Sequence, residues 1–119
     1  MANATRNQKI SRAMRLAWRE ANIICFDGKL SRPAFRVRDL SKNTSQALWE
    51  AAWNGTRETL SIDPKYCTSA TKVICLILHE MIHQLQYLQK SDRTKKEHHG
   101  RFFLRHVARI KNITGWNVL

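Results

Sequence analysis

Between residues 5 and 24, Ile10, Met14, Ala17, Trp18 and Ala21 recur at intervals of three and four, while Arg12, Arg15 and Arg19 take the other faces. That period predicts an amphipathic helix. FDGKLSRP (26–33) interrupts it, because Asp27-Gly28 favours a turn and Pro33 excludes helix. Over 34–40, AFRVRDL, Phe35, Val37 and Asp39 alternate with Arg36, Arg38 and Leu40, the period of a strand. ALWEAAWNGTRETLSI (47–62) reads as a hairpin about Asn54-Gly55, a pair suited to a type I′ turn. Such a turn sets Trp49 opposite Leu60 and Ala47 opposite Ile62, giving one face an apolar side.

Asp63-Pro64 ends that strand, and Thr68 or Ser69 can cap a helix predicted from about 69 to about 90. The first half of this helix is apolar on all sides and is expected to lie buried in the middle of the fold. QKSDRTKKE (89–97) reads as a loop. A further helix over roughly 100–114 carries Phe103, Val107 and Ile110 on one face and Arg101, Arg105 and Arg109 elsewhere, with Gly115 suited to its C-terminal cap. The order of helix, three strands and two helices predicts an α+β fold with a mostly antiparallel three-stranded sheet, in a single domain over 1–119.

Composition narrows the class of function. A chain of 119 residues fits one domain with a core of its own, burying roughly two-thirds of its unfolded surface. No apolar run reaches the length of about 18 residues that a membrane span needs. MANATRNQKISR at the start is polar and basic, without the apolar stretch of a signal peptide. The expectation is an intracellular protein, monomeric and without a membrane partner. Three cysteines, Cys25, Cys67 and Cys75, with no Cys-x-x-Cys spacing, argue against a disulfide framework and a cysteine zinc ribbon. Cys75, inside an apolar run, is expected to be a small buried hydrophobe. The 21 Lys and Arg against 9 Asp and Glu give a formal charge of +12, and a basic surface attracts phosphate backbones by counterion release. Nucleic-acid contact is therefore expected.

The chemistry concentrates in VICLILHEMIH (73–83), where an apolar run ends on two histidines and a glutamate. On a helix, residues four apart differ by about 40° in azimuth and about 6 Å along the axis, so His79 and His83 project side by side. Two such imidazoles can bind one tetrahedral zinc, and Glu80 can reach a water there as general base. Chance spacing without a metal is the competing reading, so a third ligand matters. His98 and His99 follow after 14 and 15 intervening residues, enough for the chain to turn and return a donor from the next helix. His99 is the expected ligand, because Gly100 beside it lets the backbone pass close to a metal. Its neighbour His98 is expected to point elsewhere, as a surface group or one that supports a ligand, and Glu97 and Asp92 are alternatives for the third ligand. His106 lies about 10 Å further along the helix and is expected to be packed or hydrogen-bonded.

With these residues assigned, the chain resembles the SprT-like zinc metallopeptidases, the group that includes Spartan, the DNA–protein crosslink protease. HEMIH (79–83) is followed by HHGRFF (98–103), which is similar to the family's H-G-x-x-F, with His99, Gly100 and Phe103 at the matching positions. FDGKL (26–30), TLSID (59–63) and KNITG (111–115) resemble further family segments, in order, over about 14–115. The resemblance implies a small zincin-like domain with zinc on His79, His83 and His99, and Glu80 as general base. It also implies hydrolysis of peptide bonds, often in DNA-bound proteins, and so a DNA-repair role. Many relatives add a zinc ribbon. With no cysteine pair to build one, DNA contact would fall to Arg12, Arg15, Arg19, Lys95, Lys96, Arg101, Arg105 and Arg109. So small a form would fit a phage or mobile element.

The peptide substrate is expected to add as a strand to the edge of the 47–62 hairpin, flanked by Trp49 or Trp53. Tyr87 and Tyr66 are candidates for steadying the oxyanion, with a structural role the stronger expectation for each. One rival is a non-enzymatic, basic nucleic-acid-binding protein whose structural zinc is closed by His98. A second is a zinc hydrolase acting on something other than protein.

Overall fold

A computed structural model describes residues 4–51, 57–89 and 99–119. Helix α1 (Arg6–Phe26) opens on a capping box, in which the Thr5 hydroxyl accepts from the Gln8 backbone N–H at 3.1 Å and the Gln8 side chain accepts from the Thr5 N–H at 2.8 Å. It closes on Asp27 and Gly28, both left-handed (φ 53° and 70°), a turn that glycine makes without strain. The buried residues of α1 are Ile10, Met14, Trp18, Ala21, Asn22, Cys25 and Phe26, which include four of the five expected positions, while Ala17 is only partly covered.

Strand β1 (Ala34–Val37) is shorter than its alternation predicts. Asp39 Oδ1 accepts from the Ser41 N–H at 2.8 Å and starts a short 3-10 turn over Ser41–Asn43, so Leu40 buries from a loop rather than from a strand. Strands β2 (Ala47–Ala51) and β3 (Glu58–Ile62) pair antiparallel in the expected register, Ala47 with Ile62 and Trp49 with Leu60. The Asn54-Gly55 turn lies outside the described residues. The sheet order is β1-β3-β2, and β1 runs parallel to β3. The sheet is therefore mixed, not mostly antiparallel. Strands β1 and β2 run in opposite directions and β3 fills the space between them, so it must run parallel to one. This topology leaves β2 on an edge.

Helix α2 (Ala70–Leu88) starts at Ser69, whose hydroxyl accepts from the Lys72 N–H at 3.1 Å. Helix α3 (Arg101–Thr114) ends on Gly115 at φ 82°. Helices α1 and α3 and strand β2 all pack on α2. The deepest part of α2 is its second half. Glu80 to Gln86 are all buried, whereas Ile74, Cys75 and Leu76 in the apolar first half are only partly covered. Polar side chains tolerate that depth because each is satisfied. Gln84 accepts from Trp18 Nε1 at 3.2 Å and donates to the Ser31 carbonyl at 2.6 Å and to Glu58 at 3.0 Å, tying α1, α2, β3 and the loop between α1 and β1 at one point. Among the described residues, no helix is long and apolar enough to cross a membrane.

Candidate metal centre

The four-residue spacing on α2 brings His79 and His83 to one face, and α3 delivers His99 just before its first turn. One ligating atom from each of the three lies within 4.8 Å of the others. The His99 Nε2 is 3.1 Å from that of His83 and 3.4 Å from that of His79. The other ring nitrogens of the two α2 histidines are held. His79 Nδ1 lies 2.7 Å from the Val118 carbonyl oxygen, and His83 Nδ1 lies 2.7 Å from Gln86 Oε1. Those oxygens only accept, so both Nδ1 atoms donate and the ring lone pair stands on Nε2, facing the centre of the triad. With His99 Nε2 beside them, the three imidazoles are a donor set that could hold a metal ion.

Beneath them sits Phe103. Its fully buried ring lies 4.8 Å from His79, 4.8 Å from His83 and 4.7 Å from His99, centroid to centroid. The wider spacing of H-G-x-x-F thus has a physical content: one turn after His99, a single aromatic wall backs all three rings.

Glu80 is 6% exposed, so its carboxyl is almost out of water. Its Oε1 accepts the Trp49 backbone N–H at 3.0 Å, and its Oε2 stands 3.8 Å from His79 Nε2. Burial pushes its pKa up to about 8, against the opposing pull of the Trp49 N–H. A group that exchanges its proton near neutral pH is suited to proton transfer. Trp49 is on the edge strand β2, so the N–H it gives to Glu80 points away from β3.

A cleft runs along this edge. One arm, of about 580 Å³, is lined by Ser45–Leu48, the first half of α2 and the segment Asn117–Leu119. A second arm, of about 350 Å³, is lined by Leu48–Ala51 and Tyr87, and Glu80 and His83 line both. His79 and His99 line only the larger arm, so the triad opens on that arm, and Glu80 and His83 border both.

The expected residues fare unevenly. His79, Glu80, His83 and His99 come together. His106 does not: it accepts from Arg109 Nε at 3.0 Å and lies at a tilt against the Phe102 ring, 4.6 Å between centroids, as a packed histidine. Cys75, expected to be buried, is half-exposed and lines the larger arm, because its place one turn before His79 puts it on the same stripe. Of the two tyrosines, Tyr87 lines the cleft, with its ring 5.1 Å from that of Trp49; Tyr66 does not line it. Trp53, Asp92, Lys95, Lys96, Glu97 and His98 lie outside the described residues. Gln86 and Val118, which hold the ligands, are not evident from the sequence reading. The spacing of Gln86 three residues after His83 is the available signal. Val118 acts through its backbone and leaves none.

Comparison with curated proteins finds no match. A family model does match: that of the SprT-like family, over residues 14–118, nearly the whole chain. That span contains the triad, Glu80 and Phe103, and the chain belongs to the SprT-like family.

Proposed function

We propose that this protein is a zinc-dependent peptidase acting on proteins associated with DNA. The family is zincin-like, which supports a metallopeptidase-like domain. The observation that carries the reading is the convergence of three Nε2 atoms beside one buried carboxyl, in a cleft lined by the edge strand β2. Two of the three donor separations match zinc, and the third pair lies within 4.8 Å. Ligands at about 2.0–2.1 Å in tetrahedral array stand roughly 3.3–3.4 Å apart, and the separations at His99 are 3.1 and 3.4 Å. Four-coordinate zinc on three protein ligands keeps one position open, the arrangement of catalytic sites.

Bound there, zinc would supply Lewis acidity toward a water and a carbonyl. The chain's residues supply the rest. The outward edge of β2 can take an extended peptide by main-chain hydrogen bonds. Glu80 accepts the proton of the attacking water on one carboxyl oxygen, while the Trp49 N–H steadies the other. It then returns that proton to the leaving amine. The same β2 backbone thus orients both the base and the substrate.

The DNA part of the proposal rests on charge. Arg12, Arg15 and Arg19 on α1 and Arg101 and Arg105 on α3 are exposed, in a chain of net charge +12. Arg109 is engaged inside the fold, donating to the Cys25 carbonyl and lying 5.3 Å from the Phe26 ring centroid.

The test is Glu80→Gln. It should retain about one zinc per chain by elemental analysis and lose cleavage of DNA-bound protein, by a factor on the order of 10²–10⁴ for loss of the proton-transfer group. Cleavage retained, or zinc lost, counts against the assignment. The non-enzymatic rival predicts zinc bound through four side chains, so zinc lost in both His98→Ala and His99→Ala would favour it.

A further inference from the structure

The two α2 ligands are held in different ways. His83 is oriented by Gln86, three residues on in the same helix, so its acceptor is present whenever α2 is helical. His79 is oriented by the carbonyl of Val118, 39 residues away in sequence. That carbonyl is in place only if the segment after α3 is seated. Gly115, at φ 82°, turns the chain after α3. The Val118 side chain enters the core, 2% exposed, and Trp116 packs against the same core. Asn117, Val118 and Leu119 also form part of the wall of the larger arm of the cleft.

We propose that the segment Trp116–Leu119 is a positioning element of the metal centre, so that its seating and metal binding are coupled. The inference rests on the metal reading given above. The physical link is the Nδ1–H donated by His79. With its acceptor in place, that bond fixes both the tautomer and the ring orientation, and it raises the basicity of Nε2. With the segment unseated, the ring must choose among rotamers and tautomers before it can ligate. Losing such an outer partner typically weakens a metal site by about 10–100-fold. Linkage makes the effect reciprocal: if the seated segment strengthens metal binding by some factor, bound metal favours the seated segment by the same factor.

Two measurements test this. The first is zinc affinity by chelator competition, on wild type, Val118→Asp, Val118→Ile and Ile10→Ala. Val118→Asp puts a charge where the side chain is buried and should unseat the segment. Val118→Ile keeps an apolar anchor. Ile10→Ala removes comparable core packing on α1, away from the triad, and controls for reduced stability. Zinc affinity should fall about 10–100-fold in Val118→Asp and stay near wild type in the other two. The second measurement needs no variant: amide hydrogen exchange across 116–119 in wild type should slow when zinc is added. Undiminished affinity in Val118→Asp, an equal loss in Ile10→Ala, or exchange indifferent to zinc would overturn the coupling alone. A wild type that takes up no zinc would overturn the metal reading and the coupling with it.

Discussion

Phe103 carries a load that its place in the sequence does not advertise. It is fully buried, and one ring touches all three imidazoles. Truncation to alanine should cost about 3–5 kcal/mol of stability through reduced burial and a cavity. It should also weaken zinc binding, although no donor is removed, because the rings lose their common wall. Thermal melts beside chelator competition separate the two effects, and Phe103→Leu should recover most of both. His99→Ala should abolish stoichiometric zinc outright. At this scale the sequence is legible where the geometry is local. His79 and His83 sit one helical turn apart and Glu80 between them, so helix geometry alone places them. The role of the Trp49 N–H cannot be read there, because it depends on which strand ends up at the sheet edge and on which side its amides face.

Among the elements, the hairpin and the helix ends follow from short-range chemistry. The strands pair in the register that Asn54-Gly55 predicts, a serine caps α2, and a glycine closes α3. The parallel pairing of β1 is not legible, since it is decided by which strand fills the middle of the sheet and not by any local period. The junction of α1 with α2 is hidden too, because it is made by a buried glutamine. Gln84→Leu should leave the Trp18 N–H unpaired in the core and lower stability by about 1–3 kcal/mol, read from denaturant unfolding. Helix α3 carries a pH effect of its own. Burial first, and then the charges of Arg109 and Arg105, lower the pKa of His106 from 6.5 to about 4. The unfolded chain therefore takes up this proton before the folded one does. The stability owed to neutral His106 is complete above about pH 6.5 and is lost progressively as pH falls toward 4. His106→Gln should flatten the fall in unfolding midpoint across that window relative to wild type. Parallel curves would show that His106 does not contribute.

For the molecule as a whole, the centre joins α2 to α3, so metal and fold should stabilise one another. Zinc at a thousand times its dissociation constant should add about 4 kcal/mol to unfolding, and a chelator should remove it. His99→Ala should melt at one temperature with or without zinc. The net charge of +12 predicts duplex binding that weakens steeply with salt. Replacing Arg12, Arg15 and Arg19 by glutamine should flatten the slope of log K against log salt by about 0.9 for each phosphate no longer neutralised. An unchanged slope would remove α1 from the DNA interface.

The three ligands differ in their access to solvent: His83 is buried, His79 half-buried and His99 exposed. That gradient gives metal exchange a direction. A competing chelator can approach from the side of His99, so release should begin with that bond and finish at His83. Loading should run in reverse, with the helical pair on α2 capturing the ion and His99 closing over it. The lifetime of the bound ion would then be set largely at one histidine, and substitutions around position 99 would change how fast the centre fills and empties.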